Sequence, residues 1–117
     1  MTDYRERYAT LMGAMGHLGG AIPETMGPFG ELHKGSCADG ALDTKTKELI
    51  ALGIGVAVRC EGCIVCHVQD ALTAGATREE VLETLGVAVL MGGGPSVVYA
   101  TEAHEMLDQL APAPMLA

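Results

Sequence analysis

The sequence predicts an all-α fold of about six helices in a single domain that assembles into an oligomer. Two observations lead there. Apolar residues come in blocks without strict alternation, and each block is bounded by glycine, proline or a capping residue. Of 117 residues, 49% are apolar, yet only 3 are tyrosine, 1 is phenylalanine and none is tryptophan. The core must then be built from Ala, Leu, Val, Ile and Met, small side chains that let helices approach closely. A short chain with a positive mean hydropathy exposes more apolar surface than a monomer does, which favours a homo-oligomer.

The elements follow in order. Tyr4 to Leu18 reads as a first helix ended by Gly19-Gly20. Pro23 opens a second, and Glu24 to Ala38 contains Gly27-Pro28 and Gly30, so a kink or break is expected there. Asp43 is a good N-cap for a third helix to about Val58, whose interior from Leu49 to Val58 is apolar on all sides. Arg59-Cys60 makes a turn, and a fourth helix runs from Glu61 to Ala74, closed by Gly75. Thr77-Arg78-Glu79-Glu80 is a capping box opening a fifth helix to about Met91. Gly92-Gly93-Gly94 breaks it, and Pro95 starts a sixth through Leu110. Residues 111–117 read as a disordered tail, and one domain spans 1–117 with its core at 20–108.

The formal charge of −8 argues against nucleic acid and against anionic membrane surfaces. The apolar run Ile50 to Val58 is far shorter than the roughly 20 residues a membrane span needs. The expectation is a cytoplasmic protein with no bound cofactor. In that compartment clustered cysteines point to redox catalysis or metal more often than to structural bridges.

Cys60-Glu61-Gly62-Cys63-Ile64-Val65-Cys66-His67 carries the chemistry. Cys60 and Cys63 form a C-x-x-C pair at a helix start, where first-turn N–H groups and the helix dipole stabilise a thiolate. His67 lies one turn beyond Cys63 on the same face and can exchange a proton with it. Three readings stand: a dithiol/disulfide couple, a metal site and two small buried side chains. A zinc site would draw on Cys60, Cys63, Cys66 and His67, but four ligands in one helical run do not easily surround an ion, so it would need help from His33 or Cys37. Glu48 sits just before the apolar run of the third helix. If helices three and four form a hairpin, it reaches His67 directly or through one water. Cys66 is expected to be a packed thiol, Cys37 a helix-end thiol, and His33 and His104 to lie on solvated or interface faces.

The run from Leu42 to Leu52, Leu-Asp-Thr-Lys-Thr-Lys-Glu-Leu-Ile-Ala-Leu, resembles an element of the carboxymuconolactone decarboxylase-like family. Arg59 to His67 is similar to its redox branch, typified by alkylhydroperoxidase D, with Glu48, Cys60, Cys63 and His67 at the branch's spacing. Ala71 to Val81 resembles a third family element. The resemblance implies a helical fold that assembles as a homotrimer or homohexamer. It also implies peroxidase or disulfide-reductase (peroxiredoxin-type, antioxidant) activity, with a peroxide as substrate and an external dithiol or redox protein as reductant. Cys60, Cys63, His67 and Glu48 are then the catalytic set, the last two as a proton relay. Two departures stand out: Gly62 occupies a position that is histidine in the typified peroxidase, and Cys66 one that is histidine in many members. Helix-start position and Arg59 favour a thiolate at Cys60, whereas His67 favours activation of Cys63. The alternatives are a lyase of the decarboxylase branch, which lacks the C-x-x-C, and a non-catalytic metal-binding module.

Overall fold

Six helices follow one another in the computed structural model, which describes residues 1–111; of the tail expected at 111–117, Ala111 caps the last helix and accepts from Arg78 at 2.9 Å, and 112–117 lie outside the described residues. They are α1 (Tyr4–Ala21), α2 (Pro23–Ser36), α3 (Thr44–Ala57), α4 (Glu61–Thr73), α5 (Arg78–Gly92) and α6 (Gly94–Leu110), with no strand among the described residues.

Capping chemistry starts α3 and α5 as the sequence predicts, and a side-chain cap not expected from the sequence starts α4. The Asp43 carboxylate accepts from the Thr46 N–H at 2.8 Å and opens α3. Thr77 and Glu80 complete the reciprocal capping box of α5, at 2.9 and 3.1 Å. Cys60 itself caps α4. Gly93, at φ 68° and ψ −148°, occupies a backbone region closed to residues with a Cβ and turns α5 into α6.

Two boundaries differ from expectation. Helix α1 runs through Gly19-Gly20 to Ala21 and ends only at Ile22, the residue before Pro23. Glycine tolerates a helix interior at modest cost, whereas the residue before proline is pushed out of the helical region. Helix α2 is continuous through Pro28. Pro28 leaves the Glu24 carbonyl without its helical partner, but Glu24 is exposed, so water satisfies that group.

The core joins α3 to α6. Leu52 and Val56 of α3, Ile64 and Val68 of α4, Val81 of α5 and Leu107 of α6 are wholly removed from solvent. Helix α1 anchors on α4 and α6 through buried Tyr4, whose N–H donates to Gln109 Oε1 at 2.6 Å. Helix α2 buries no residue and leaves Phe29 and Leu32 exposed. A second apolar face runs along α3 and α5, where Leu49, Ile50, Ile54, Val87 and Met91 line an open groove of about 510 Å³. No described helix is long and apolar enough to cross a membrane.

Candidate functional site

The α3–α4 hinge is short. Val58 closes α3, Arg59 adopts a left-handed conformation at φ 61°, and Cys60 already caps α4. The Cys60 N–H donates back to the Gly55 carbonyl at 3.1 Å and the Arg59 N–H to Val56 at 3.1 Å, the bonding of a helix end that glycine usually occupies. A single residue thus reverses the chain and sets the dithiol at the N-terminus of α4. Gly55 packs directly against the start of α4: a Cβ there would lie in ordinary contact, 3.5 Å from Cβ of Cys63.

Cys60 and Cys63 stand at disulfide-bonding distance, with Cα atoms 5.2 Å apart. The Cys60 sulfur accepts the Cys63 N–H at 3.2 Å, as an N-cap side chain does. Cys63 is exposed, and Cys60 is partly covered. Position 62, a glycine here, faces α1: a Cβ on Gly62 would lie 3.2 Å from Cδ2 of Leu11, so a side chain there would require Leu11 to shift by a few tenths of an ångström.

Glu48 lies one turn into α3 and is 3% exposed. Its Oε2 accepts from Nδ1 of His67 at 2.8 Å, the direct contact the hairpin argument allowed. Its Oε1 accepts from Nε2 of His33 at 3.1 Å. A carboxylate only accepts, so the facing ring nitrogens carry protons, and Nε2 of a neutral His67 is left as a base. Burial pushes the Glu48 carboxyl up. Hydrogen bonds from His67, Cys37 and His33, with the positive charge His67 carries when protonated, outweigh it and hold Glu48 below its ordinary value.

Around this pair stand groups the sequence did not assign to it. His33 was expected on a solvated or interface face; its side chain is half exposed, but its ring meets Glu48 and stands edge-on to His67 with centroids 5.9 Å apart. Nothing in local spacing connects positions 33 and 48. The link is the α2–α3 loop, where Asp39 accepts from the Thr44 N–H at 2.8 Å and Lys47 Nζ donates to the Ala38 carbonyl at 2.6 Å. Cys37 ends α2 as expected and reaches Glu48; burial, its hydrogen bond to Glu48 and the Glu48 charge push its thiol up. Asp70 Oδ2 lies 4.0 Å from both Nε2 of His33 and Nδ1 of His67. Burial and then the Glu48 charge raise its carboxyl. Its position three residues after His67 was the one signal available for it. Cys66 packs against the core as expected, and burial, then Asp70, raises its thiol. His104 lies on an exposed face of α6 near Asp108, at 3.9 Å.

The sequence model of the carboxymuconolactone decarboxylase family matches residues 23–106. An uncharacterized protein of Cupriavidus necator is 38% identical over 93% of this chain and 96% of its own length. The uncharacterized protein 4 in the cox locus of Paracoccus denitrificans is 36% identical over 87% and 89%. Among solved structures, a carboxymuconolactone decarboxylase family protein of Legionella pneumophila superposes with a TM-score of 0.88 at 44% identity, covering 94% of this chain and 99% of that one. One of Thermotoga maritima, for which a part in the antioxidative response has been suggested, gives 0.78 at 29% identity, over 86% and 89%. The chain belongs to the carboxymuconolactone decarboxylase family.

Proposed function

We propose that the protein is a thiol-dependent peroxidase of the alkylhydroperoxidase type, cycling Cys60 and Cys63 between dithiol and disulfide. The observation that carries this reading is a C-x-x-C pair at disulfide distance on a helix N-terminus, beside a histidine bonded to a buried carboxylate. A peroxide-consuming dithiol needs a reducing compartment, so we assign it to the cytoplasm.

Exposure gives Cys63 the first step. Its thiolate attacks the peroxide O–O bond, the sulfur becomes a sulfenic acid, and the leaving oxygen takes a proton and departs as alcohol or water. His67, one turn along, accepts the thiol proton and returns one to the leaving oxygen, while Glu48 fixes its Nδ1–H tautomer. Cys60 then condenses with the sulfenic acid, forming the disulfide and releasing water. An external dithiol attacks the exposed Cys63 sulfur, and Cys60 leaves as a thiolate stabilised by the Cys63 N–H. That dithiol is oxidised to its own disulfide as the pair returns to thiols. The bare apolar faces of α2 and of the α3–α5 groove support assembly into a homotrimer or homohexamer.

Trapping with dimedone tests the order. After one equivalent of peroxide, Cys60→Ser should carry a stable sulfenic acid at Cys63, and Cys63→Ser should lose turnover without trapping at Cys60. Undiminished peroxide consumption by both variants would end the dithiol reading.

A further inference from the structure

The group around Glu48 is a different kind of assembly from the dithiol. His33 of α2, Glu48 of α3, and His67 and Asp70 of α4 each offer one ligand atom, and those four atoms all lie within 4.8 Å of one another. We propose that His33, Glu48, His67 and Asp70 form a binding site for a divalent first-row transition-metal ion such as zinc, and that occupancy withdraws Glu48 and His67 from the thiol chemistry.

Geometry supports this first. Zinc bonds to imidazole nitrogen and carboxylate oxygen are about 2.0–2.2 Å long, so tetrahedral ligand atoms stand roughly 3.3–3.6 Å apart. His67 Nδ1 stands 2.8 Å from one Glu48 oxygen and His33 Nε2 3.1 Å from the other, and Asp70 Oδ2 lies 4.0 Å from each histidine, so Glu48 can turn either oxygen to an ion. Small side-chain rotations take that range to the ideal one. The ligands also come from three helices, so they can surround an ion, which four ligands on one helical run cannot easily do.

Ligand chemistry agrees. Two imidazoles with two carboxylates suit zinc, cobalt or nickel and disfavour the all-oxygen ions calcium and magnesium. The ion would also relieve a conflict the protein otherwise keeps. Asp70 and Glu48 are adjacent acidic groups that a dication neutralises together. Binding requires deprotonation of both facing ring nitrogens, and so replaces the His67–Glu48 hydrogen bond with two metal bonds. The inhibitory consequence rests on the peroxidase reading; the binding does not.

The test uses the full chain carrying Cys37→Ser and Cys66→Ser, oxidised so that Cys60 and Cys63 form their disulfide and no free thiol remains. Cobalt(II), and zinc in competition with a chromophoric chelator, are the probes. One equivalent should bind per chain, with tetrahedral cobalt visible bands and no thiolate charge-transfer band. His33→Ala should weaken binding at least tenfold, since losing a supporting partner of a metal ligand alone costs about 10–100-fold. His33 sits on α2, which buries nothing, so the fold survives this change; helical content by circular dichroism checks it, and Asp70→Asn gives an independent second loss. In reduced wild-type protein, one equivalent of zinc should slow peroxide consumption and a chelator should restore it. Absence of binding in the thiol-free protein, or binding untouched by both His33→Ala and Asp70→Asn, overturns the site. Binding as described without any peroxidase activity to inhibit keeps the site and removes the proposed function instead.

Discussion

Glu48→Gln is the substitution that separates a relay from a structural ion pair. Glutamine keeps the length of the side chain and an oxygen that can accept the His67 Nδ1–H, now at 2.8 Å, so the ring keeps its place. What is lost is the charge and the second oxygen, so His33 must present its other tautomer to the amide NH2. A hydrogen bond to an ionised partner contributes about 1.5–3 kcal/mol against about 0.5–1.5 for a neutral one, a difference of roughly 1–1.5 kcal/mol. Expressed fully in the transition state, that is about a five- to twelvefold fall in rate. His67→Ala removes the proton acceptor itself and should cost about 10²–10⁴-fold. Glu48 acts only through His67, so adding Glu48→Gln to His67→Ala should change almost nothing further. The assay is dithiothreitol-dependent peroxide consumption by the four proteins of the cycle, with circular dichroism confirming equal helical content. A Glu48→Gln penalty of the same size in both backgrounds would refute the relay, as would wild-type rates in both single variants.

Three further outcomes follow from other parts of the chain. Arg59→Gly removes a Cβ from a left-handed backbone position, which costs about 1–2 kcal/mol for non-glycine residues, less the entropy of glycine. The variant should be up to about 1 kcal/mol more stable to urea, yet its dithiol should alkylate more slowly at neutral pH because a nearby positive charge is gone. The Asp43 carboxyl is held below its ordinary value of 3.8 by the Thr46 hydroxyl and N–H. Its stabilising effect is therefore complete above pH 3.8 and is lost as pH falls through the lowered folded value, so the stability advantage of wild type over Asp43→Asn should shrink in acid unfolding curves below pH 3.8. Light scattering at micromolar concentration should find a trimer or hexamer; a clean monomer would leave Phe29, Leu32 and the α3–α5 groove without an explanation.

Local signals made most of the fold legible. Asp43, Thr77 with Glu80, and Gly92-Gly93-Gly94 act within one turn of their own positions, so their helix boundaries could be read directly. Gly19-Gly20 misled because glycine only weakens a helix, and an exposed helix tolerates that weakness; Pro28 leaves α2 unbroken, since its orphaned carbonyl is on an exposed residue. The site divides in the same way. Cys60, Cys63 and His67 share one helix, and Glu48 follows once α3 and α4 are folded as a hairpin. His33 and Cys37 reach Glu48 only through the tertiary course of the α2–α3 loop, which no periodicity encodes. The fit of Leu11 against Gly62 is likewise a contact between α1 and α4.

Peptide mapping of reduced protein after a single equivalent of peroxide tests the central claim most directly. The account predicts the loss of two free thiols per chain, recovery of one Cys60–Cys63 cross-linked peptide, Cys37 and Cys66 still reduced, and full return of both thiols with dithiothreitol. Oxidation confined to Cys37 or Cys66, or a C-x-x-C pair that stays reduced while peroxide remains, would contradict it.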